Sequence, residues 1–279
     1  MSTDQALEVA RWDTGTDLCG YRCVPADPAA VVLVVHGFGE YALRHTKTMQ
    51  RWAGRRIASY AYDHRGHGNS PGKRAIVTRF DDLVDDALTM RTRVAAEHPG
   101  APLFLFGVSM GGVIATRSAQ RRSEELRGLV LLAPAFAAAE DIPPLVQKIL
   151  RGVRKIAPNL ALKPLTFSAL SRDQSVGEAY KSDPLTYHGG VPLCSGVEII
   201  TAGDAAIAEA AAYVVPTLIL QGDADTIAFP IGATRFAAAA SSNRDLTLTS
   251  VPGGYHELFN DPGGETLADS TAEWILDRS

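Results

Sequence analysis

The chain has 279 residues and a formal net charge of −4, with 46% hydrophobic and 21% charged residues. This balance suits a globular protein with a sizeable core, and it argues against nucleic acid as a partner, because phosphate binding needs a surplus of lysine and arginine. The N-terminal "MSTDQALEVARWD" lacks the apolar core of a signal peptide, and no stretch approaches the roughly 20 apolar residues of a membrane span. Three scattered cysteines indicate neither a disulfide framework nor a zinc site, which favours a cytoplasmic location.

The first buried strand is predicted at residues 31–35, where "VVLVV" shows no polar alternation. Continuous apolar runs of this kind are expected in parallel sheets that are covered on both faces. The strand leads into "HGFGEYALR", where glycines lie on both sides of Phe38 and where Glu40 and Arg44 follow closely. This turn therefore combines unusual backbone freedom with charged side chains.

A second short strand, "SYAYD", leads into "DHRGHGNSPGKR" at residues 63–74. His64 and His67 in this glycine-rich turn could bind a metal, but no third ligand accompanies them. We interpret them as structural and predict no metal. The next segment, 81–97, has apolar residues at helical spacing and aspartates in its first turn, which predicts a helix.

The most specific motif is Gly-Val-Ser-Met-Gly around Ser109, which lies between a predicted strand at 102–106 and a predicted helix at 110–121. This strand-turn-helix context is the one that the G-x-S-x-G nucleophile elbow requires. The alternative is a chance pentapeptide in a glycine-rich loop, which the flanking elements disfavour. Ser109 is therefore the predicted nucleophile.

A strand at 129–133 is followed by about eighty residues with no clear buried strand, and these predict an inserted, mainly helical cap at 135–212. Within it, residues 143–157 have an apolar face and a basic remainder. Such a helix is typical of contact with a lipid surface, although packing of the apolar face inward is an equally good interpretation.

Serine needs a base, and in a chain with this elbow the order is serine, then aspartate or glutamate, then histidine. After a predicted strand at 216–221, both Asp223 and Asp225 are candidates for the acid. A helix is predicted at 229–240. Only His256, between the strand-like "DLTLTSV" and a helix predicted at 265–277, has the position expected of the base.

Attack on an acyl carbonyl also needs backbone donors aimed at the developing oxyanion. The N–H of Met110, directly after the nucleophile, is the first candidate. The N–H of Phe38, in the "HGFG" turn, is the second.

Strands alternating with helices predict a mostly parallel, doubly wound α/β sheet, with a core at 1–134 and 213–279. Five blocks carry a resemblance to the α/β-hydrolase superfamily and, within it, to the monoacylglycerol lipases and lysophospholipase-like relatives: "HGFGEYALRH", "DHRGHGNSPGKR", "GVSMGG", "QGDADT" and "YHELFND". Together with matching cap segments, the resemblance spans roughly residues 30–262.

The resemblance implies hydrolysis of an acyl ester through an acyl-serine intermediate, without a cofactor. It favours Asp225 over Asp223 as the acid, and it implies a cap that encloses an apolar tunnel and contacts membranes or micelles. It places Glu40 and Arg44 near the alcohol end of the substrate, although an exposed ion pair is an alternative for these two residues. Phe259 stands where mammalian members carry a histidine near this end.

We therefore expect a serine hydrolase that acts on monoacylglycerols, cytoplasmic or peripherally attached to a membrane. Lysophospholipids and small or xenobiotic monoesters are alternative substrates. A non-catalytic, ligand-binding relative is a more remote alternative.

Overall fold

The computed structural model describes residues 7–140, 142–164 and 166–279. Residues 1–6, part of the segment in which no signal peptide is predicted, lie outside this range, as do Asp141 and Leu165 of the predicted cap. The strands of the described part are β1 (Ala10–Trp12), β2 (Gly20–Cys23), β3 (Ala30–Val35), β4 (Ile57–Tyr62), β5 (Leu103–Val108), β6 (Leu126–Leu132), β7 (Ala161–Pro164), β8 (Gly190–Pro192), β9 (Thr217–Gly222) and β10 (Leu246–Val251). The α-helices are α1 (Thr46–Ala53), α2 (Phe80–Glu97), α3 (Met110–Arg121), α4 (Pro144–Val153), α5 (Gln174–Ser182), α6 (Leu193–Ala208), α7 (Pro230–Ala239) and α8 (Gly264–Leu276).

The central sheet has eight strands in the order β1-β2-β4-β3-β5-β6-β9-β10. Strand β2 pairs in antiparallel fashion with both β1 and β4, and the remaining neighbours in this sheet, from β4-β3 to β9-β10, are parallel. The predicted mostly parallel α/β sheet is therefore confirmed, and the apolar runs predicted as strands lie in β3, β5, β6 and β9.

Both faces of the sheet are covered, which explains why its inner strands lack polar alternation. In β3, Val31, Leu33 and Val35 point into the core that includes α2, α3, α6 and α7. The intervening Val32 and Val34 point into a second core, which includes residues of α1 and α8. Every residue of β3, β4, β5 and β9 is buried.

The interval between β6 and β9 carries α4, α5, α6 and an antiparallel pair formed by β7 and β8. The strand pair is an addition to the mainly helical cap that the sequence predicts. Helix α6 contributes Ile199, Ala202 and Ala206 to the core on the α3 side of the sheet. The cap boundaries at 135–212 remain a prediction. No helix in the described ranges is both long and apolar enough to cross a membrane.

Candidate active site

Ser109 occupies a strained turn between β5 and α3, with φ 54° and ψ −119°. Positive φ is rare for a residue with a side chain, and such strain is concentrated at functional sites. The turn requires glycines on both sides of Ser109, because other backbone atoms approach these two positions closely. A Cβ at Gly107 would lie 2.6 Å from the Gly111 carbonyl oxygen, and one at Gly111 would lie 2.0 Å from the carbonyl oxygen of Val35. The glycines of the motif are therefore needed for close packing beneath the serine.

His256 and Asp225 form a buried pair, in which the imidazole Nδ1 lies 2.8 Å from the carboxylate Oδ2. The other oxygen of Asp225 accepts the N–H groups of Ile227 and Ala228 at 2.8 and 3.0 Å. Burial opposes protonation of His256, but the charge and the hydrogen bond of Asp225 outweigh burial and raise the pKa of the imidazole. The contact orients the ring and fixes which nitrogen faces the site.

Asp223, the competing acid, lies elsewhere. Its Oδ1 accepts the N–H of Gly253 at 2.6 Å, so it holds the loop that leads to His256, and among the described residues no hydrogen bond joins it to the imidazole. Of the two candidates, the structure brings Asp225 to the histidine.

Ser109 and His256 line the same cavity. Among the hydrogen bonds of the described residues, none joins the Ser109 hydroxyl to the imidazole. Bonds between nucleophile and base are often long in unliganded enzymes and shorten when substrate binds.

Two backbone donors face the same region. Phe38 and Met110 both line the cavity, and within the described ranges neither N–H donates to another protein group. Gly39 has φ 78°, and a Cβ at Gly37 would lie 3.2 Å from that of Ser109, so the turn needs both glycines. The geometry supports the prediction that these two N–H groups form an oxyanion hole.

Buried histidines hold the strand ends that carry this turn. The N–H of His64 donates to Nε2 of His36 at 2.9 Å, and Nε2 of His64 lies 3.0 Å from the carbonyl oxygen of His36. Burial lowers the pKa of His36 and His64, and it lowers that of His67 to about 4. Within the described residues, no group of three potential ligands could hold a metal ion. The structure thus places His64 and His67 in a packed, neutral cluster beneath the Phe38 turn.

The cavity has a volume of about 330 Å³ and extends from Ser109 beneath the cap. Cavities of this size with mostly apolar walls and a few polar groups are typical of small-molecule sites. Its apolar walls come from the segment after β6, from the cap and from the loop after β9: Ala135, Ala138, Ile142, Leu162, Pro164, Leu170, Val191, Ile199, Ile200, Ile227 and Phe229.

Glu40 and Arg44 form an ion pair with 3.4 Å between Oε2 and Nε, but the side chains are only 9% and 11% exposed. The alternative of an exposed pair is therefore wrong, since the turn lies under the cap. Glu40 lines the cavity, and its Oε1 accepts the N–H of Gly37 at 2.6 Å. Burial disfavours its charge, but His45, Arg44 and this N–H outweigh burial and lower the pKa of Glu40 to about 2.

Two further polar residues line this end of the cavity and are absent from the sequence predictions: Tyr180 of α5 and Glu257. Nη2 of Arg44 lies 2.8 Å from both carboxylate oxygens of Glu257, and its guanidinium carbon lies 4.7 Å from the centre of the Tyr180 ring. Glu257 directly follows the predicted base in the sequence, and this position could have indicated that it lies at the site. No sequence signal indicated Tyr180, because the fold of the cap brings this residue of α5 to the cavity.

The comparisons with known proteins agree with this geometry. The model of the family described as serine aminopeptidase, S33 (Hydrolase_4) matches residues 26–263. A monoacylglycerol lipase of Mycolicibacterium smegmatis is 34% identical over 90% of this chain and 89% of its own length. The human monoglyceride lipase is 34% identical over 87% of this chain and 80% of its own.

A solved structure of monoacylglycerol lipase from Paleococcus ferrophilus superposes with a TM-score of 0.82 at 31% identity, covering 95% of this chain and all of the other. Because similarity at this level extends over most of both chains, the protein belongs to the α/β-hydrolase superfamily and, within it, to the family of the monoacylglycerol lipases.

Proposed function

We propose that this chain is a serine hydrolase that releases the fatty acid from monoacylglycerols, with Ser109, Asp225 and His256 as its catalytic triad. The observation that carries this proposal is the position of the elbow serine and the Asp225–His256 pair on one apolar cavity. The similar proteins from Mycolicibacterium smegmatis and human are named for this activity. Membership of their family makes the chain a carboxylic ester hydrolase.

The reaction follows from the geometry. His256 takes the proton of the Ser109 hydroxyl while the oxygen attacks the ester carbonyl, and Asp225 stabilises the imidazolium that forms. The N–H groups of Phe38 and Met110 bind the negative oxygen of the tetrahedral intermediate. The intermediate collapses to acyl-serine as His256 protonates the departing alcohol. Water, deprotonated by the same histidine, then releases the fatty acid and restores the serine.

The proposal is tested by hydrolysis of a panel of monoacylglycerols from hexanoyl to oleoyl. We expect turnover that requires Ser109 and that exceeds the hydrolysis of an aminoacyl nitroanilide, the amide substrate suggested by the name of the matched family. Preference for the amide, or no release of fatty acid from any member of the panel, would contradict the proposal.

We also propose that helix α4 contacts lipid aggregates. Its apolar residues face outward, with Leu145 69%, Ile149 54% and the following Ile156 89% exposed, so packing of this face against the cap is wrong for these positions. Ile142 before the helix and Leu162 after it line the cavity, so the exposed apolar residues of this helix lie between two segments of the cavity wall. Exposed apolar residues next to a substrate cavity are typical of interaction surfaces.

Substituting Ile149 and Ile156 together by serine tests this contact. Inserting each such side chain into lipid contributes about 1.5–3 kcal/mol, so the loss of two should lower the ratio of turnover on emulsified to dissolved monoacylglycerol by about a hundredfold or more. The control is Val214→Ser, since Val214 is 66% exposed but lies in the segment that leads to β9. An unchanged ratio in the double variant would argue against the contact.

A further inference from the structure

The alcohol end of the cavity is surrounded by a polar cluster that we define as Glu40, Arg44, Tyr180 and Glu257. Glu40, Tyr180 and Glu257 line the cavity directly and are 7%, 2% and 9% exposed. The fourth member, Arg44, lies behind them and contacts each of the other three. The cluster also adjoins His256, the residue that protonates the departing alcohol in the proposed reaction.

A buried arginine at this place would ordinarily attract an anion, because guanidinium groups form bidentate hydrogen bonds with phosphates and carboxylates. Here the charge of the guanidinium is already compensated by two carboxylates. Nη2 of Arg44 donates to both oxygens of Glu257 at 2.8 Å, and Nε lies 3.4 Å from Oε2 of Glu40. Amide Nδ2 of Asn260 donates to Glu257 at 2.7 Å and fixes the carboxylate in this position.

The charges of the cluster do not cancel. Two carboxylates face one guanidinium, which leaves one net negative charge within the cluster. His45 lies on the far side of Glu40, with 3.4 Å between Nε2 and Oε2. Asp225 adds another carboxylate, 2.8 Å from Nδ1 of His256. Screening by water is weak for groups this deeply buried, so the charge acts on any bound alcohol.

The side chain of Tyr180 is available to bind an uncharged alcohol. The hydroxyl of Tyr180 is buried at the cavity wall and has no hydrogen-bond partner within the described residues. A buried hydroxyl without a partner costs free energy, which a hydroxyl of the substrate can recover.

We propose that Glu257 makes the alcohol end selective by charge: it neutralises Arg44, so the site accepts esters of uncharged polyols or ammonium alcohols and rejects esters whose alcohol carries phosphate or carboxylate. This inference rests on the proposed function. It also separates the two lipid alternatives, since lysophospholipids carry a phosphate on the glycerol beside the scissile ester.

The wild-type chain tests the inference with three dissolved esters that share one acyl group: 1-hexanoylglycerol, 1-hexanoylglycerol 3-phosphate and hexanoylcholine. We expect kcat/KM for the phosphate ester to lie at least about 30-fold below that for the glycerol ester, with the choline ester nearer the latter. Equal rates for the glycerol and phosphate esters would overturn the inference. Failure to hydrolyse 1-hexanoylglycerol and all longer monoacylglycerols would contradict the proposed function itself.

Glu257→Gln keeps the shape of the side chain and frees Arg44 from one carboxylate. We expect the ratio of phosphate-ester to glycerol-ester turnover to rise about tenfold and the ratio for the choline ester to fall. Glu265→Gln is the matched control, since that carboxylate has 85% of its side-chain surface exposed and lies on α8. A merely structural role for Glu257 predicts that all three rates fall together with unchanged ratios, and this result would overturn the inference.

Discussion

Replacing Ser109 by alanine is expected to lower kcat/KM for monoacylglycerols by about 10⁴-fold or more, because the nucleophile is lost while the oxyanion donors and the cavity remain. The protein should fold as before. Alanine keeps the Cβ of serine, so the strained backbone at φ 54° and the packing of the flanking glycines are unchanged. The measurement is the initial rate of fatty acid release, together with labelling by a serine-reactive fluorophosphonate.

The matched control is Ser270→Ala, which removes an exposed hydroxyl from α8 and should leave rate and labelling unchanged. This experiment also addresses the remote alternative of a ligand-binding protein without catalytic activity. If the wild-type chain neither reacted with the phosphonate nor released fatty acid, that alternative would replace the proposed mechanism. Equal labelling of the wild-type and Ser109→Ala proteins would place the nucleophile elsewhere.

The central strands could be predicted because their burial is complete. In β3, β5 and β9 every residue is buried, and only apolar runs of this kind satisfy a sheet covered on both faces. The sequence did not predict β7 and β8, which are four and three residues long and too short for a recognisable pattern. Within the predicted mainly helical cap, the bounds of helix α6 also escaped prediction. It contributes to the core on one side and carries glycines and serine, so its apolar residues do not form a clear stripe.

The residues of the candidate site differ in how well the sequence predicts them. The proposed nucleophile follows from a local motif, and the proposed base follows from the order of residues along the chain. Asp223 and Asp225 could not be separated by residue spacing alone, because both lie in the turn after β9 and the turn geometry decides which one reaches His256.

The alcohol end was the least predictable part. Glu40 and Arg44 are four residues apart, a spacing common in exposed pairs, so the spacing did not indicate that both side chains are buried. Phe259, at the position of a mammalian histidine, stacks on Phe106 with 5.4 Å between ring centres. The polar group next to His256 in this chain is instead Glu257, which lies on the cavity wall.

The second large effect is expected for Asp225→Asn, which should lower kcat about 10⁴-fold and move the acidic limb of the pH profile. His256 must be neutral to accept the serine proton. In the wild-type protein Asp225 raises the pKa of His256, so kcat/KM should fall as the pH drops through a value above the ordinary 6.5 of histidine. In the variant, burial of the ring acts without this compensation, so the pKa falls and the limb moves to lower pH.

Asp223→Asn is the control for this prediction, because an amide oxygen can still accept the N–H of Gly253 and no hydrogen bond joins this residue to the imidazole in the described structure. It should change kcat only a few-fold and leave the limb in place. The two observables separate orientation from charge. A lower rate with an unmoved limb would mean that the carboxylate orients His256 without tuning its pKa, whereas the larger loss in Asp223→Asn would assign the acid to the other aspartate. A large loss together with a downward shift is expected only if the carboxylate that is 2.8 Å from Nδ1 both orients the ring and stabilises its protonated form.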